Sequence, residues 1–191
     1  MGLCMKRRSP SMAFGSIGSG LLIWAPLVLF AFLGGIFLYG LIEPKDEYVR
    51  SHMIGKPLPE FKFPAATDGI PALANTDFSD GKPRMLNLFG SWCIPCKAEA
   101  PMLEQLKRQG VEIHGIAIND TPENVAVFLA GFGNPFARIG STDMAFQLQL
   151  GSSGVPETFI IDGKGRIVHQ HIGDIRADDV QPLLDKWRAL K

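Results

Sequence analysis

Two cysteines separated by two residues carry the most distinctive chemistry in this sequence. They are Cys93 and Cys96, in the segment Trp92-Cys-Ile-Pro-Cys-Lys97. The spacing allows the two thiols to pair with each other, and the residues that follow have the apolar periodicity of a helix. A helix N-terminus presents unpaired N–H groups and partial positive charge, both of which stabilise a thiolate. The pattern therefore predicts a redox-active dithiol at the start of a helix.

The two thiols have different expected roles. We expect Cys93, the more N-terminal and more exposed thiol, to form a mixed disulfide with a partner, and Cys96, one turn into the helix, to resolve it. We expect Trp92 to pack beside the pair and Pro95 to stiffen the loop while removing one N–H group. Lys97 adds a nearby cation.

A metal site is the competing interpretation of the same pair. Zinc needs two further ligands, usually a second Cys/His pair at metal spacing. Only two of the remaining histidines are close together, and strand alternation would place both on one face of a strand. We therefore expect no cofactor besides a redox-active Cys93–Cys96 disulfide, with a metal-delivery module, for copper for example, as the alternative. The remaining histidines are His52, His114, His169 and His171.

The third cysteine, Cys4, lies far from the pair in sequence. Three cysteines are too few for a scaffold held together by disulfides. Cys4 is interpreted as an ordinary N-terminal thiol, with palmitoylation beside a membrane segment as the alternative.

The elements around the dithiol alternate between strands and helices. Arg84–Phe89 reads as a strand entering the cysteine segment, and Cys96–Gln109 as a helix that ends at Gly110. The alternation ends in a hairpin and a helix, which predicts a layered α/β domain. The other predicted elements are a short edge strand around Phe61 and Phe63, strands at 111–118, 136–139, 158–161 and 166–172, and helices starting at Thr121 and spanning 142–150 and 177–190.

An apolar segment precedes this domain. No charged residue occurs from Ser9 to Ile42, and the densest part, 20–42, is slightly longer than the roughly 20 residues that span a membrane. A cleaved signal peptide is the alternative, but its apolar core would be about 7–15 residues long and be followed by a small-x-small site. Neither feature is found here, so we expect an uncleaved anchor.

Charge indicates the orientation of that anchor. Lys6, Arg7 and Arg8 precede the apolar segment and predict a cytoplasmic N-terminus. They are three of the 19 basic residues, so the rest of the chain carries 16 basic against 19 acidic residues. That part has no basic field suited to nucleic acid, and we expect no nucleic-acid partner. The dithiol would then lie outside the cytoplasm, where disulfide chemistry persists.

Two segments resemble thioredoxin-like oxidoreductases. Trp-Cys-x-Pro-Cys-Lys followed by Pro101 is similar to their active-site helix, and Gly154-Val-Pro-Glu-Thr-Phe159 to their cis-proline loop. The resemblance implies that Pro156 is cis and faces the dithiol, and that the backbone around Val155 binds an extended partner chain.

The Gly-Val-Pro-Glu-Thr-Phe-Ile-Ile-Asp run resembles, more specifically, the CcmG/DsbE-type family of cytochrome c maturation, from Ile54-Gly-Lys-Pro57 to about the chain end. It implies a thioredoxin-like fold, a central mixed sheet flanked by helices, with an N-terminal extension, a central insertion around 131–135 and one preceding transmembrane helix. The predicted divisions are a cytoplasmic tail at 1–19, a transmembrane anchor at 20–42, a linker at 43–53 and the thioredoxin-like domain at 54–191.

The resemblance also assigns two acidic residues. Glu99, three places after Cys96, would exchange a proton with the resolving thiol, with an ordinary surface helix acid as the alternative. Glu157 would line the groove that binds the partner, with solvation at the rim as the alternative. Asn119-Asp120 stands where many relatives have a longer Asn-Tyr-Lys-type run, which affects the expected shape of the groove.

The function implied is that of a periplasmic dithiol reductant held at the bacterial inner membrane by one helix. It would keep the thiols of apocytochrome c, or of a maturation dithiol protein, reduced for haem attachment, and a transmembrane donor of the DsbD/CcdA type would re-reduce it. The alternatives are a ResA/TlpA-like thioredoxin of broader specificity, a net oxidase, and the metal-delivery module, because direction depends on reduction potential and partner access.

Overall fold

The computed structural model describes residues 18–42 and 51–191, with side chains over 24–40 of the first range. The described residues belong to two units, one that contains residues 18–42 and one that contains residues 51–191. Several predictions concern residues outside the described ranges: Cys4, the basic cluster at Lys6, Arg7 and Arg8, most of the tail 1–19, and most of the linker 43–53.

The first unit is represented by one helix, α1 (Gly18–Ile42), which contains Pro26 and has no charged residue. Its large apolar side chains between Trp24 and Tyr39 are exposed. Among the described residues, no helix is both long enough and apolar enough to cross a membrane. The anchor predicted at 20–42 stays a prediction.

The second unit contains seven strands and four α-helices within residues 51–191. The strands are β1 (Lys62–Phe63), β2 (Leu73–Ala74), β3 (Arg84–Phe89), β4 (Ile113–Ile118), β5 (Phe136–Thr142), β6 (Glu157–Ile161) and β7 (Ile167–Ile172). The helices are α2 (Ile94–Arg108), α3 (Pro122–Phe132), α4 (Met144–Gln149) and α5 (Ala177–Arg188), and a short 3-10 helix spans Asn75–Phe78.

The main sheet is mixed. Its strand order is β5-β4-β3-β6-β7, with β3, β4 and β5 parallel and with β6 and β7 each antiparallel to its neighbour. The predicted central mixed sheet flanked by helices is therefore confirmed. Because the carboxyl ends of β3 and β4 meet at one edge, the loops that follow Phe89 and Ile118 lie side by side.

Both faces of the sheet are covered. Every residue of β3 and β4 is buried, as expected for strands packed between two layers. Apart from Arg84 and Asn87 in β3 and His114 in β4, neither strand has a charged or polar side chain. On one face, α2, α3 and α5 contribute Leu103, Val125 and Leu183 to the core. On the other face, α4 contributes Phe146, which stacks edge-on against Phe61.

Several element limits differ from the sequence-based prediction. The helix α2 begins at Ile94 rather than Cys96, because Cys93 itself caps it. The strand β5 continues to Thr142 instead of ending at Ile139, because β4 pairs with it as far as Ile118. The predicted start of α3 is confirmed, with the Thr121 hydroxyl accepting the Asn124 N–H at 3.3 Å.

Candidate active site

The cysteine pair lies at the junction of β3 and α2. Cys93 is the N-cap of α2, and its Sγ accepts a hydrogen bond from the Cys96 N–H at 3.2 Å. The two sulfurs form a disulfide of 2.06 Å, with the Cα atoms 5.3 Å apart. The N–H group that bonds this sulfur is one of the unpaired donors of a helix start, so the same contact stabilises a Cys93 thiolate after reduction.

The cysteine pair itself is almost completely buried, and neighbouring residues provide most of the exposed surface at the site. Cys93 is 4% exposed and Cys96 1%, so the expected greater exposure of Cys93 is present but slight. The neighbouring Trp92 and Ile94 are 57% and 78% exposed and form the apolar rim of the site. Pro95 is exposed in the first turn of α2, where a missing N–H costs no helical hydrogen bond.

The Val155–Pro156 peptide bond is cis, as the resemblance implied. Glu157, the next residue, pairs with Leu88 at the end of β3. This register places the Val155–Pro156 segment beside the residues that lead into the cysteine loop. Val155 is half-buried and packs against the cores on both sides of the sheet.

Glu99 lies one turn after Cys96 and is buried, with 1% of its surface exposed. One carboxylate oxygen accepts the Asn87 side-chain N–H at 2.9 Å, and the other accepts the backbone N–H of Ile175 at 3.1 Å. Burial raises the pKa of Glu99 to about 7, against the opposing effect of these hydrogen bonds. Such a carboxyl both accepts and donates a proton near neutral pH. The alternative of a surface helix acid is wrong.

The structure corrects the expectation for Glu157. Its side chain is completely buried and accepts hydrogen bonds from the Ser152 hydroxyl, the Ser153 N–H at 3.0 Å and the Gln170 side-chain amide. A carboxylate enclosed in this way does not line an open groove, and solvation at the rim is excluded too. It holds the 152–156 loop instead, since Ser152 also donates to the Gly154 carbonyl at 3.1 Å.

The residues that complete this polar interior were missed by the sequence-based prediction. Asn87 bonds both Glu99 and the Thr158 hydroxyl, the latter at 3.0 Å across the β3–β6 pair. Its signal was present in the sequence, as the one neutral polar residue within the strand Arg-Met-Leu-Asn-Leu-Phe. Gln170 and Ser152 carried no comparable local signal.

Within residues 18–42 and 51–191, no histidine forms a metal-binding cluster with Cys93 and Cys96. His169 and His171 lie on β7, where the Nε2 of His169 is 3.0 Å from the Lys186 ammonium and His171 is 3.4 Å from the Asp174 carbonyl. Across the described part of the chain, no cluster of three or more His, Cys, Asp or Glu side chains has metal-binding geometry. The geometry of the pair is that of a disulfide.

Comparison with known proteins agrees with this chemistry. The family described as Redoxin matches residues 53–185. The thiol:disulfide interchange protein DsbE of Tatumella citrea is 35% identical over 178 residues, covering 88% of this chain and 96% of that protein. The thiol:disulfide interchange protein HelX of Rhodobacter capsulatus is 33% identical over 169 residues, covering 88% and 96%.

A solved structure shares the fold. The crystal structure of a DsbF homologue from Corynebacterium diphtheriae matches with a TM-score of 0.60 at 22% identity, over 76% of this chain and 97% of that one. At this identity the likeness concerns the fold alone.

Proposed function

Because this chain belongs to the Redoxin family, and within it to the CcmG-type thiol:disulfide interchange proteins DsbE and HelX, we propose that it is the dithiol reductant of a cytochrome c maturation system. Its activity is that of a thiol–disulfide oxidoreductase. The observation that carries the proposal is the Cys93–Cys96 pair at the start of α2, beside the cis Val155–Pro156 loop and backed by a buried acid.

The reaction proceeds in two exchanges. The Cys93 thiolate attacks one sulfur of the partner disulfide, forming a mixed disulfide and releasing the other partner sulfur as a thiolate. The Cys96 thiolate then attacks the Cys93 sulfur, which releases the second partner thiolate and leaves the Cys93–Cys96 disulfide of this structure. Two electrons pass to the partner, and its two thiolates take up the two protons lost by the cysteines.

Glu99 is proposed to receive the proton of Cys96. The two residues are three positions apart on α2 and so lie on one face of the helix. A carboxyl whose pKa is about 7 is matched to proton transfer near neutral pH. Trp92, Pro95 and the Val155 backbone form the surface on which an extended partner chain is proposed to lie.

The proposed substrate is the Cys-x-x-Cys-His segment of apocytochrome c, or a dithiol protein that itself reduces it. Those thiols must be free before haem attaches, and an oxidising compartment favours their disulfide. Electrons are proposed to come from a transmembrane donor of the DsbD/CcdA type.

We propose that the protein is held at the bacterial inner membrane by a single helix, with its folded domain in the periplasm. The support is the charge-free run at 20–42, the basic residues before it, and the exposed apolar side chains of α1. The tail would be 1–19, the linker 43–53 and the thioredoxin-like domain 54–191. Such tethering raises the effective concentration of membrane-bound partners.

Trapping the partner tests the proposal. In native membranes, the Cys96→Ala variant cannot resolve the mixed disulfide that Cys93 forms, so the partner stays disulfide-linked to Cys93. A Cys4→Ser background removes the remaining thiol, and Cys93→Ala with Cys96→Ala is the matched control that should capture nothing.

The identity of the captured proteins decides the pathway. Capture of apocytochrome c or a maturation dithiol protein, together with a transmembrane donor, is the expected result. Capture of many unrelated secreted proteins would instead indicate a ResA/TlpA-like thioredoxin of broader specificity. If the captured proteins accumulate disulfides in cells that lack this protein, it acts on them as a reductant and not as an oxidase. Tight binding of copper by both thiols, with no captured protein, would favour metal delivery.

A further inference from the structure

A second group of contacts holds the loop that carries the cysteine pair. The Asp120 carboxylate accepts two hydrogen bonds from Ser91, one from its N–H at 2.5 Å and one from its hydroxyl at 2.8 Å. Ser91 follows β3 and Asp120 follows β4, which are adjacent parallel strands. The carboxylate therefore joins the two loops at the edge of the sheet where the dithiol lies.

The next residue along is tied to the same loop. The indole N–H of Trp92 donates to the Ile118 carbonyl at 3.1 Å. Between the two acceptors, Asn119 has a φ of 47°, in the left-handed region that asparagine tolerates better than most residues. Its N–H donates to the Thr142 carbonyl at 2.9 Å, so the accepting loop is itself held to β5.

These contacts reach Cys93 through a tight turn. A Cβ placed on Gly90 would lie 2.7 Å from the Trp92 indole, so the ring packs directly on the Gly90 backbone. The Gly90 carbonyl in turn accepts the Cys93 N–H at 3.1 Å. A shift of Ser91 or Trp92 would therefore move Cys93 relative to the N–H groups of α2.

We propose that Asp120 is a positioning residue for disulfide exchange. By holding Ser91, it keeps the Cys93 sulfur aligned with the donors at the helix start, chiefly the Cys96 N–H at 3.2 Å. The inference rests on the proposed role of Cys93 as the attacking thiol. Alignment matters because the stabilisation of a thiolate by these donors acts over the first turn of a helix only.

Substitution of Asp120 would change the thiolate fraction of Cys93 in opposite directions through loss of positioning and through loss of charge. A nearby carboxylate disfavours a thiolate, so removal of charge alone would increase the thiolate fraction of Cys93. Loss of alignment would decrease it. In this structure the Asp120 charge is engaged by three donors, two from Ser91 and the Thr121 N–H at 2.9 Å, so we expect alignment to dominate.

The test is the pH profile of Cys93 alkylation by iodoacetamide, in the full chain carrying Cys4→Ser and Cys96→Ala. For Asp120→Ala we expect the profile midpoint to rise by about 0.5–1 pH unit, which is roughly a three- to tenfold smaller thiolate fraction below the midpoint. For Asp120→Asn the midpoint should rise less, because the asparagine amide oxygen still accepts the Ser91 N–H. Asp77→Ala is the control and should leave the midpoint unchanged, because the Asp77 carboxylate accepts the Ala74 N–H and no bond from the cysteine loop.

A milder variant covers the case in which Asp120→Ala fails to fold. Ser91→Ala removes only the hydroxyl contact and should raise the midpoint slightly, by about 0.3 pH unit, or a twofold change in thiolate fraction. Equal downward shifts of the midpoint in both Asp120 variants would overturn the proposal in favour of a charge effect. An unchanged midpoint in Ser91→Ala, which keeps the Asp120 charge and loses one contact, would overturn it outright. Failure of the unmodified protein to reduce an oxidised Cys-x-x-Cys-His peptide, the proposed substrate, would refute the proposed function instead.

Discussion

At the scale of single residues, the two cysteines differ in what they contact. The Cys93 sulfur caps α2, whereas Cys96 lies inside the helix and is almost completely buried. This asymmetry supports an attacking role for Cys93 and a resolving role for Cys96.

Cys93→Ser should abolish disulfide exchange, because no thiolate remains at the helix start to attack a partner. Reduction of insulin by dithiothreitol with catalytic amounts of the protein measures this loss. Cys4→Ser is the matched control and should retain the full rate. Reduction by Cys93→Ser at the rate of the unmodified protein would show that the roles are assigned wrongly.

Glu99→Gln should slow resolution more than attack, because an amide does not take up the Cys96 proton. Stopped-flow measurement with a chromogenic aromatic disulfide separates the two steps. We expect release of the second aromatic thiol to fall by about a hundredfold, at the low end of general-base effects, with little change in the first. Glu104→Gln makes the same charge change on the same helix as the control, and unchanged release in Glu99→Gln would refute the assignment.

At the scale of elements, a buried polar chain connects β7 with the loop before β6. The N–H of Ser51 donates to the side-chain oxygen of Gln170, whose amide donates to Glu157. Glu157 in turn holds the Ser152 hydroxyl and the Ser153 N–H. The position of the cis-proline loop therefore depends on β7, a strand that β6 separates from β3.

Gln170→Leu should destabilise the fold, because it leaves the buried Glu157 carboxylate short of one donor and the Ser51 N–H without its acceptor. Hydrogen bonds to charged groups contribute about 1.5–3 kcal/mol each, so we expect a loss of roughly that size in the free energy of unfolding by urea. Gln181→Leu, which removes an exposed bond to Asp185, is the matched control with little expected effect. Equal stability of the two variants would mean that the chain of bonds is not important for the fold.

At the scale of the whole molecule, two buried groups titrate in opposite senses. Glu99 has its pKa raised from 4.5 to about 7 by burial, and His114 on β4 has its pKa lowered from 6.5 to about 4 by burial. Neither ring nitrogen of His114 hydrogen-bonds within the described residues, although Nε2 lies 3.4 Å from the Glu112 carboxylate. Desolvation therefore outweighs the attraction of that carboxylate.

The consequence for stability follows from proton binding in the folded and unfolded states. The contribution of Glu99 is present below about pH 4.5 and is lost as pH rises through 7, whereas that of His114 is present above pH 6.5 and is lost as pH falls through 4. Each group changes the free energy of unfolding by about 1.4 kcal/mol per pH unit within its range. The two changes have opposite signs and therefore oppose each other between pH 4.5 and 6.5.

A variant that lacks one of the two groups should therefore show the pH dependence of stability that the other group causes. With the disulfide intact, we expect the unfolding free energy of Glu99→Gln to rise from pH 4 to 6.5 by about 2–3 kcal/mol more than that of the unmodified protein. His114→Leu should show the reverse, a fall between pH 4.5 and 7. Urea unfolding at half-unit pH steps measures both. Parallel curves for all three proteins would show that neither group titrates as its burial indicates.

Much of this protein was readable from sequence alone. The cysteine pair at a helix start, the strand β3, the cap of α3 and the closing hairpin were predicted and agree with the structure. The family resemblance agrees with the comparisons to known proteins. These features are local, since hydrophobic periodicity, capping residues and short motifs lie within a few consecutive residues. A local signal also existed for Asn87, a neutral polar residue in an apolar strand.

The tertiary structure alone decided how the acidic residues are used. Glu99 meets the Ile175 N–H across 76 positions of sequence, and Glu157 meets Gln170 across two paired strands. No spacing rule predicts such partners, because the order and register of the strands bring them together. Burial then decides the chemistry: it raises the pKa of Glu99 towards neutrality and removes Glu157 from the surface, and burial is a property of the packed molecule rather than of either residue.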